Sequence, residues 1–509
     1  MNFETSEMDC EEFSEHRKAQ VYQTLERAPY VYLSGLTGVG KSQFVEKGCV
    51  EHQIFKEKND LLEWAQARPF NNEFLILFFD EANLANSEWM GFEGMFALRP
   101  YVFVEGQLFE LTRNHKVIFA GNPAQYGDDR KIPKLIQRHG LSIVFEPLSP
   151  AFIFHKMIYP MIGERYAYQI GPIVLEMYQF LLDHSKSMLL VTPRQIETIC
   201  LMFLANYEQD LEELSYSVAE VFQFYCHEVF ESCLSKNNYQ IFANRFPKPN
   251  RPYLNYRKIK DNIVNGDFLV TESRQEVIEK ILDFLSLQGG LNRLVIEGEP
   301  GIGKSDLTLK LLKAKYEEHL EFVYMSASLS LSEKKALLFQ AFDLGQIVFT
   351  DEINSSVFFE QMLNSLLDNK HPDEKGRAPY QPGFKLIGTQ NGIQLAGRNL
   401  ESPALKSRSM YICLPKYTPE EVFSIAVSMG VDTFYASALE TAYAESKASF
   451  RQVLNWINNA YIPQEINHEC SFFWGLSSQT VEESIEDFDM SQDDTESIEG
   501  LGLHLDWRI

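Results

Sequence analysis

The sequence predicts an α/β fold built twice along one chain, with a parallel sheet in each half followed by a helical segment. A glycine-rich pattern, GxxxxGK[ST], occurs at residues 35–42 and again at 298–305. Each copy follows a short apolar run, 30–33 or 294–296, and precedes a helix-like segment. That strand–loop–helix context and the duplication together predict two α/β modules.

The two glycine-rich loops have the composition that binds phosphate. Glycines let backbone N–H groups turn towards phosphate oxygens, lysine supplies a positive charge, and the hydroxyl can hold Mg²⁺. The predicted phosphate-binding residues are Gly35, Gly38, Gly40, Lys41 and Ser42 in the first loop and Gly298, Gly301, Gly303, Lys304 and Ser305 in the second. We therefore expect two sites for ATP and Mg²⁺.

An acidic pair follows a buried strand in each half. The apolar run 74–79 ends in Asp80 and Glu81, and the run 347–350 ends in Asp351 and Glu352. A continuous apolar run is typical of a strand covered on both faces of a parallel sheet. The aspartates, with Ser42 and Ser305, are the predicted Mg²⁺ ligands, and the glutamates are the predicted bases that polarise water.

Three further polar features recur in the same order. Asn122 and Asn391 end the next apolar strand, where an amide can position a water molecule. Arg138 and Arg408 lie at basic helix ends, and Arg194 and Arg451 open later helices. Singly, each feature has an ordinary alternative as a helix cap, a turn residue or a solvated charge. The glycine-rich loops and the acidic pairs each occur twice in the same order, so these ordinary alternatives are least favoured for them.

This order of motifs resembles the AAA+ ATPases over most of residues 17–465, and especially their MoxR, midasin and dynein branch. The sequences of residues 80–85, 351–354 and 397–408 resemble the motifs of this branch. The resemblance implies that Arg138 and Arg408 are arginine fingers that reach a neighbouring module's nucleotide. It also implies that Arg194 and Arg451 couple the γ-phosphate to the position of a helical lid.

The halves differ outside the shared motifs. The first carries two short strands around a turn at residues 101–111, an insert that the resemblance directs towards a ring pore or a client, the alternative being a plain surface hairpin. The equivalent second-half stretch, 368–383, is predicted to be a loop. Little sequence precedes the first glycine-rich loop, whereas 268–275 offers a fuller base-binding segment. We therefore expect tighter nucleotide binding at the second site.

Composition narrows the classes of partner. The 509 residues carry a net charge of −25, which disfavours nucleic acid as the main partner and favours protein clients. The apolar runs fall short of the roughly 20 residues that a membrane helix needs, so no membrane span is expected. The N-terminus carries no secretory pattern, and seven scattered cysteines form no CxxC pair. The cytoplasm is the expected compartment.

These patterns define the expected domains. They are an acidic N-terminal tail (1–16), core 1 (17–148), a helical lid with an extension (149–245), a linker (246–266), core 2 (267–417), a second lid (418–465) and an acidic C-terminal tail (466–509). Residues 477–499 include nine acidic residues and no Lys or Arg. That composition predicts disorder, the alternative being a docking tail.

The predicted function is ATP binding and hydrolysis by two tandem modules that remodel or assemble protein clients. Fingers that act between modules imply self-assembly into a ring or another oligomer. One alternative is a nucleotide-gated scaffold with little turnover. Another is a GTP-driven motor of the DNA-restriction type, which the acidic charge disfavours.

Overall fold

The computed structural model describes most of the chain up to residue 459. The described residues are 3–56, 60–71, 73–83, 89–123, 131–185, 191–207, 217–251, 269–316, 322–351, 357–374, 376–391, 401–445 and 448–459. The chain divides into two units, Met1–Phe450 and Arg451–Ile509. Both predicted sheets lie in the first unit, and the predicted C-terminal tail lies outside the described residues.

Sheet 1 contains five parallel strands in the order β2-β3-β6-β1-β7. Its strands are β1 (Tyr30–Ser34), β2 (Gln53–Lys56), β3 (Leu75–Phe79), β6 (His115–Gly121) and β7 (Ser142–Val144). Every residue of β3 and β6 is buried, as expected for central strands covered on both faces. The strand that leads into the first glycine-rich loop, β1, lies between β6 and β7.

Sheet 2 repeats this order as β9-β10-β11-β8-β12, again fully parallel. Its strands are β8 (Arg293–Gly298), β9 (Phe322–Met325), β10 (Ile347–Thr350), β11 (Lys385–Asn391) and β12 (Ser409–Cys413). The register repeats as well, since Tyr30 pairs with Val117 and Arg293 pairs with Leu386. The predicted α/β fold with two parallel sheets is confirmed.

Helices surround and follow each sheet. Those of the first half are α1 (Phe3–Arg27), α2 (Lys41–Gln43), α3 (Leu61–Gln66), α4 (Lys134–His139), α5 (Pro150–Ile153), α6 (Tyr159–Ile162), α7 (Glu164–His184), α8 (Pro193–Tyr207), α9 (Val218–Cys233) and α10 (Lys236–Arg245). A 3₁₀ helix spans Met90–Phe96, and π-helical turns span Phe44–Gly48 and Phe154–Ile158.

The helices of the second half follow the same plan. They are α11 (Glu272–Ser286), α12 (Lys304–Lys315), α13 (Leu331–Asp343), α14 (Val357–Leu367), α15 (Pro403–Lys406), α16 (Pro419–Ser428), α17 (Thr433–Glu445) and α18 (Phe450–Asn459). Helix α16 begins with a capping box, because the side chains of Thr418 and Glu421 each accept a hydrogen bond from the other residue's backbone N–H.

The predicted insert is an antiparallel hairpin of β4 (Tyr101–Val104) and β5 (Gln107–Glu110). Glu105 and Gly106 form its turn, both with positive φ. Val102 and Val104 face the core, whereas Phe103 and Leu108 are more than half exposed.

The N-terminal segment differs from its prediction. Helix α1 includes residues 3–16, which were predicted to be an acidic tail, and it buries Cys10, Val21 and Leu25. The prediction of a tail over residues 1–16 is therefore wrong for residues 3–16, which are helical. The sequence hides this helix because its acidic composition gives it only a weak apolar stripe.

One buried lysine repeats near the start of the central strand of each sheet, β6 and β11. Lys116 Nζ donates to Ala28 O just beyond α1, and Lys385 Nζ donates to Phe284 O and Leu285 O at the end of α11. Burial lowers the pKa of Lys116 to about 8 and of Lys385 to about 7. These bonds satisfy carbonyl groups that the end of a helix leaves unpaired.

Helices α8 and α9 of the first half pack against the second half. Thr198 Oγ1 accepts a hydrogen bond of 2.9 Å from Leu291 N, and Gln195 Nε2 donates to Ser407 O at 3.2 Å. Arg251 forms ion pairs with Glu279 at 2.7 Å and Asp283 at 2.6 Å on α11. Helix α8 is therefore joined to the second half by hydrogen bonds of two of its side chains.

Within the residues that the structure describes, we find no helix with the length and apolar composition needed to cross a membrane.

Equivalent central positions give a test of the repeat. Ile118 on β6 and Ile387 on β11 are fully buried at matching register positions. We expect Ile118→Ala and Ile387→Ala each to lower the stability of its own sheet by about 2–5 kcal/mol, because each leaves a cavity. Hydrogen exchange of the neighbouring strand amides would measure this. The matched Ile→Val changes should cost about 0.5–1.5 kcal/mol, and a tolerated alanine at either position would contradict the equivalence.

Candidate nucleotide sites

The lysine of each glycine-rich loop is held in the same way in both halves. Lys41 Nζ donates to Gly35 O at 2.8 Å, Leu36 O at 2.9 Å and Asn122 Oδ1 at 2.9 Å. All three acceptors lie at the carboxyl ends of β1 and β6 or directly after them. The predicted phosphate-binding lysine and the predicted water-positioning asparagine are therefore in direct contact.

The second site reproduces this arrangement. Lys304 Nζ donates to Gly298 O at 3.0 Å, Glu299 O at 2.8 Å and Asn391 Oδ1 at 2.8 Å. Both lysines are 7% exposed, so a cationic group is held close to the surface by three oxygen acceptors. This environment suits a charge whose partner is a bound anion.

The predicted Mg²⁺ ligands also lie together. Ser42 Oγ donates to Asp80 Oδ2, and Ser305 Oγ donates to Asp351 Oδ1. In the second site Asp351 also accepts hydrogen bonds from Thr389 Oγ1 at 3.2 Å and Tyr324 OH at 3.0 Å. A hydroxyl beside a carboxylate provides the oxygen ligands that Mg²⁺ prefers, so the residues fit the ion.

Of the two glutamates predicted to act as bases, the structure describes Glu81. Glu81 follows Asp80 with φ of 48°, a backbone conformation that few non-glycine residues adopt. Its N–H donates to Asp80 Oδ1 at 2.9 Å, which joins the two acidic residues into one turn. Glu352 lies outside the described residues.

Asn83, two residues after the acidic pair, also belongs to the first site. It is buried, and its Nδ2 donates to the backbone oxygen of Asn122. Gly121 makes this contact possible, because a Cβ there would lie 2.9 Å from Asn83 Oδ1 and only 1.9 Å from Tyr32 OH. The end of β6 is thereby fixed against the turn that carries Asp80.

Helix α8 begins directly against the first glycine-rich loop. Gly38 has φ of 87°, and a Cβ on it would lie 2.7 Å from Thr192 Cβ. Arg194, predicted to couple nucleotide to lid, is thus two residues from a contact with the loop itself.

Arg17 of α1 braces the same loop. Its Nη1 donates to Val39 O at 3.1 Å, and its guanidinium lies 4.5 Å from the centre of the Phe145 ring. In the second half Arg274 of α11 donates to Pro415 O at 2.9 Å and stacks on Tyr417 at 3.7 Å. Arg17 could not be identified from the sequence, because no motif marks the residue of α1 that binds the loop.

The two predicted finger arginines have different surroundings. The Arg138 side chain is 59% exposed on α4 and forms an ion pair with Glu93 at 3.0 Å. Arg408 is only 12% exposed, and it lies between the two halves of the chain. Of these two arginines, Arg138 is the one that points to solvent.

Arg408 and Arg194 converge on one carboxylate, Asp368. Arg408 Nε and Nη2 donate to its two oxygens at 3.0 and 2.8 Å, and Arg194 Nη2 donates to them at 2.9 and 3.1 Å. Burial would raise the pKa of Asp368, but the two guanidinium charges outweigh burial and hold that pKa far below its ordinary value.

The acidic residues of the first site also act on the charge of Arg408. Burial would lower the pKa of Arg408, but Asp368 and then Glu81 and Asp80 outweigh it and raise that pKa. The family resemblance predicts that Arg408 reaches a neighbouring module's nucleotide, and in this chain the charges of Glu81 and Asp80 of the first site act on it.

A second ion cluster ties the Asp368 loop to the first half. Lys370 Nζ lies 2.6 Å from Glu46 Oε1, which also binds Lys56 Nζ at 2.9 Å. Burial would raise the pKa of Glu46, but the two lysines outweigh it and lower that pKa. Glu46 follows the first glycine-rich loop by only a few residues, so the loop after α14 binds the first half both at Arg194 and at Glu46.

A buried ion pair fixes the segment that carries Arg408. Arg293 at the start of β8 is fully buried and binds Glu401 through both terminal nitrogens, and it also donates to Ser409 Oγ at 2.8 Å. A buried guanidinium needs such pairing, because an unpaired charge is costly to bury. These bonds of Arg293 therefore hold the segment on both sides of Arg408 against β8.

The remaining predicted site residue, Arg451, lies in α18 and belongs to the second unit. Its side chain is exposed.

Two groups of predicted site residues meet at the carboxyl edges of the two sheets in the first unit. They are Lys41, Ser42, Asp80, Glu81 and Asn122 in sheet 1, and Lys304, Ser305, Asp351 and Asn391 in sheet 2. Sequence reasoning missed Asp368, Glu46 and Lys370. Nothing marks them in the sequence, because each gains its contact from the other half of the chain.

Comparison with known families agrees with this geometry. Residues 293–409, from β8 to the first residue of β12, match the family model of the AAA domain of the dynein-related subfamily. This match supports an AAA+ ATPase. It covers less than a quarter of the chain and includes the second glycine-rich loop, Asp351, Asn391 and Arg408. A search of curated proteins found no match.

The two loop glycines give a matched test of the contact with α8. Gly38 and Gly40 share a φ of 87°, but a Cβ on Gly40 would meet nothing within 4 Å. Both alanine variants gain backbone strain of about 1–2 kcal/mol. We expect Gly38→Ala to lose a further ~1–3 kcal/mol through overpacking against Thr192. Thermal unfolding without nucleotide would show the difference, and equal losses would contradict the contact.

Proposed function

We propose that this chain binds and hydrolyses ATP at two sites and uses the energy to remodel or assemble protein clients. The observation that carries the proposal is the repeated contact of Lys41 with Asn122 and of Lys304 with Asn391. In each site a phosphate-binding lysine, an Mg²⁺-binding hydroxyl–carboxylate pair and a polar amide meet at one edge of a parallel sheet. Such edges are where α/β proteins bind ligands.

The residues of each site have separate roles in this proposal. Lys41 and Lys304 bind the β- and γ-phosphates, and the Ser42–Asp80 and Ser305–Asp351 pairs hold Mg²⁺. Bound Mg²⁺ neutralises charge on the phosphate oxygens. Glu81 and Glu352 accept a proton from the attacking water, and Asn122 and Asn391 orient that water molecule.

We further propose that Arg408 serves the first site within its own chain. The attraction between Arg408 and the charges of Glu81 and Asp80, together with the Arg293–Glu401 pair that supports its segment, favours this assignment. An arginine directed at a transferring phosphate stabilises the charge of the transition state. Arg194 supplies a second positive charge from the opposite side of the same cluster.

Arg138 supports an assembly of several chains. It is the more exposed finger candidate and lies on the first half, so it is available to the second site of another chain. Tandem modules joined in this way would close a ring, an arrangement common among AAA+ domains. The hairpin of β4 and β5, with Phe103 and Leu108 exposed, is the proposed contact with protein clients.

The number of ATP sites is directly measurable. We expect the chain to bind two nucleotides, and Lys41→Ala and Lys304→Ala each to remove one, because each lysine is the main positive charge in its loop. Equilibrium binding of a fluorescent ATP analogue would give the stoichiometry. Lys385→Arg changes a buried lysine remote from both phosphate loops and should leave two sites. Retention of two sites in the Lys41→Ala, Lys304→Ala double variant would refute the assignment.

Hydrolysis separates a motor from a scaffold. We expect Glu81→Gln and Glu352→Gln each to slow turnover at its own site by about 10²–10⁴-fold, because the amide cannot accept the proton. Phosphate release would be measured with the other site removed by its Lys→Ala change. Unaltered turnover in both variants would favour a nucleotide-gated scaffold, and selective turnover of GTP stimulated by DNA would favour a restriction-type motor.

A mixing experiment distinguishes action within a chain from action between chains. In a Lys304→Ala background we expect Arg408→Ala to slow hydrolysis at the first site by about 10³-fold. Adding an excess of the Lys41→Ala, Lys304→Ala chain, which keeps Arg408 but has no site, should restore nothing. Restoration would place the finger between chains. Arg377→Ala, which breaks a second-half ion pair with Asp343 remote from Asp80, should keep the rate within about twofold.

A further inference from the structure

All three nitrogens of the Arg408 guanidinium are bound by protein oxygens. Nε and Nη2 donate to Asp368, and Nη1 donates to Ala404 O at 2.8 Å. The same carboxylate accepts two hydrogen bonds from Arg194. A guanidinium binds carboxylate and phosphate through the same fork of N–H groups. While the Asp368 pair persists, that fork of Arg408 is not available to a phosphate.

One carboxylate serves two guanidinium groups from different halves of the chain. Arg194 is on α8 of the first half, whereas Arg408 and Asp368 belong to the second. Two like charges this close repel each other, and burial followed by the charge of Arg408 lowers the pKa of Arg194. A further anion at this point would therefore be attracted by both arginines.

The position of Asp368 connects that anion to the first site. It directly follows α14, and two residues later Lys370 binds Glu46 just beyond the first glycine-rich loop. The Asp368 loop thus binds the first half at two points, through Asp368–Arg194 and through Lys370–Glu46. If another anion replaced Asp368 as the partner of Arg194 and Arg408, the contacts of the Asp368 loop and of the preceding helix α14 would change.

We propose that Asp368 is a positioning residue that holds Arg194 and Arg408 in a resting pair, and that the γ-phosphate of ATP at the first site competes with it for their N–H donors. This inference rests on the proposed ATP site. ADP lacks the competing group and leaves the pair intact. ATP binding at the first site would then release the Asp368 loop and signal to the second half.

The decisive variant is Asp368→Asn, which keeps the size of the side chain and removes its charge. It would be made in the Lys304→Ala background, so that only the first site reports. Dissociation constants would be measured for a non-hydrolysable ATP analogue and for ADP. We expect about tenfold tighter binding of the analogue, within the usual range of coupling between sites, and less than about twofold change for ADP.

Asp343→Asn is the matched control. Asp343 also binds an arginine in bidentate fashion, Arg377 at 2.8 and 3.1 Å, but it takes no part in the Asp368 cluster. We expect its ratio of ATP-analogue to ADP affinity to equal that of the parent. An equal change in both variants, or an unchanged or reduced ratio in Asp368→Asn, would overturn the proposal.

A double-mutant cycle tests whether the effect passes through the arginine. In an Arg408→Ala background, Asp368→Asn should lose most of its effect on the affinity ratio, because one of the two competing donors is gone. A full effect in that background would overturn the proposal. If the parent Lys304→Ala chain bound no nucleotide at all, the proposed ATP site would fail instead, so the two failures are distinguishable.

The unaltered chain provides a second measurement that does not depend on the folding of Asp368→Asn. Lys370 N donates to Ser365 O and His371 N donates to Arg377 O, so loop amides report on its order. We expect faster hydrogen exchange of residues 369–377 with the ATP analogue than with ADP. Equal or slower exchange with the analogue would overturn the release of the loop.

Discussion

The constraint on which both sites depend is the order of parallel strands in each sheet. In β2-β3-β6-β1-β7 and β9-β10-β11-β8-β12, the strand that leads into the glycine-rich loop lies beside the strand that ends in asparagine. The strand that ends in aspartate comes next. Parallel strands place their carboxyl ends at one edge, so lysine, asparagine and the serine–aspartate pair meet without a long loop. The identical hydrogen bonds of Lys41 and Lys304 follow from this order.

The second organising interaction is the contact between the halves. Helix α8 touches the first loop at Gly38, contacts the second half through Thr198 and Gln195, and brings Arg194 to Asp368. The first site is thus bordered by residues of both halves. In the proposed mechanism this shared border lets nucleotide at the first site influence the second half. In the same proposal, the exposed side chain of Arg138 reaches the second site of another chain.

Much of the fold could be predicted because its signals are local. Apolar runs predicted the central strands, and the turn within residues 101–111 predicted the hairpin. The N-terminal helix was mistaken for a tail because an acidic amphipathic segment resembles a solvated one. Its stability comes from packing of Val21 and Leu25 on sheet 1, which no local pattern reveals.

The sequence by itself determined the repeated α/β plan and the residues that bind phosphate and metal, because backbone turns and ligand chemistry require those residue types at fixed spacing. Only the tertiary structure decided that the charges of Glu81 and Asp80 act on Arg408 and that Asp368 binds both Arg408 and Arg194. An ion pair across 174 positions depends on how two rigid halves pack. That packing is set by many weak apolar and polar contacts together, and no single motif encodes it.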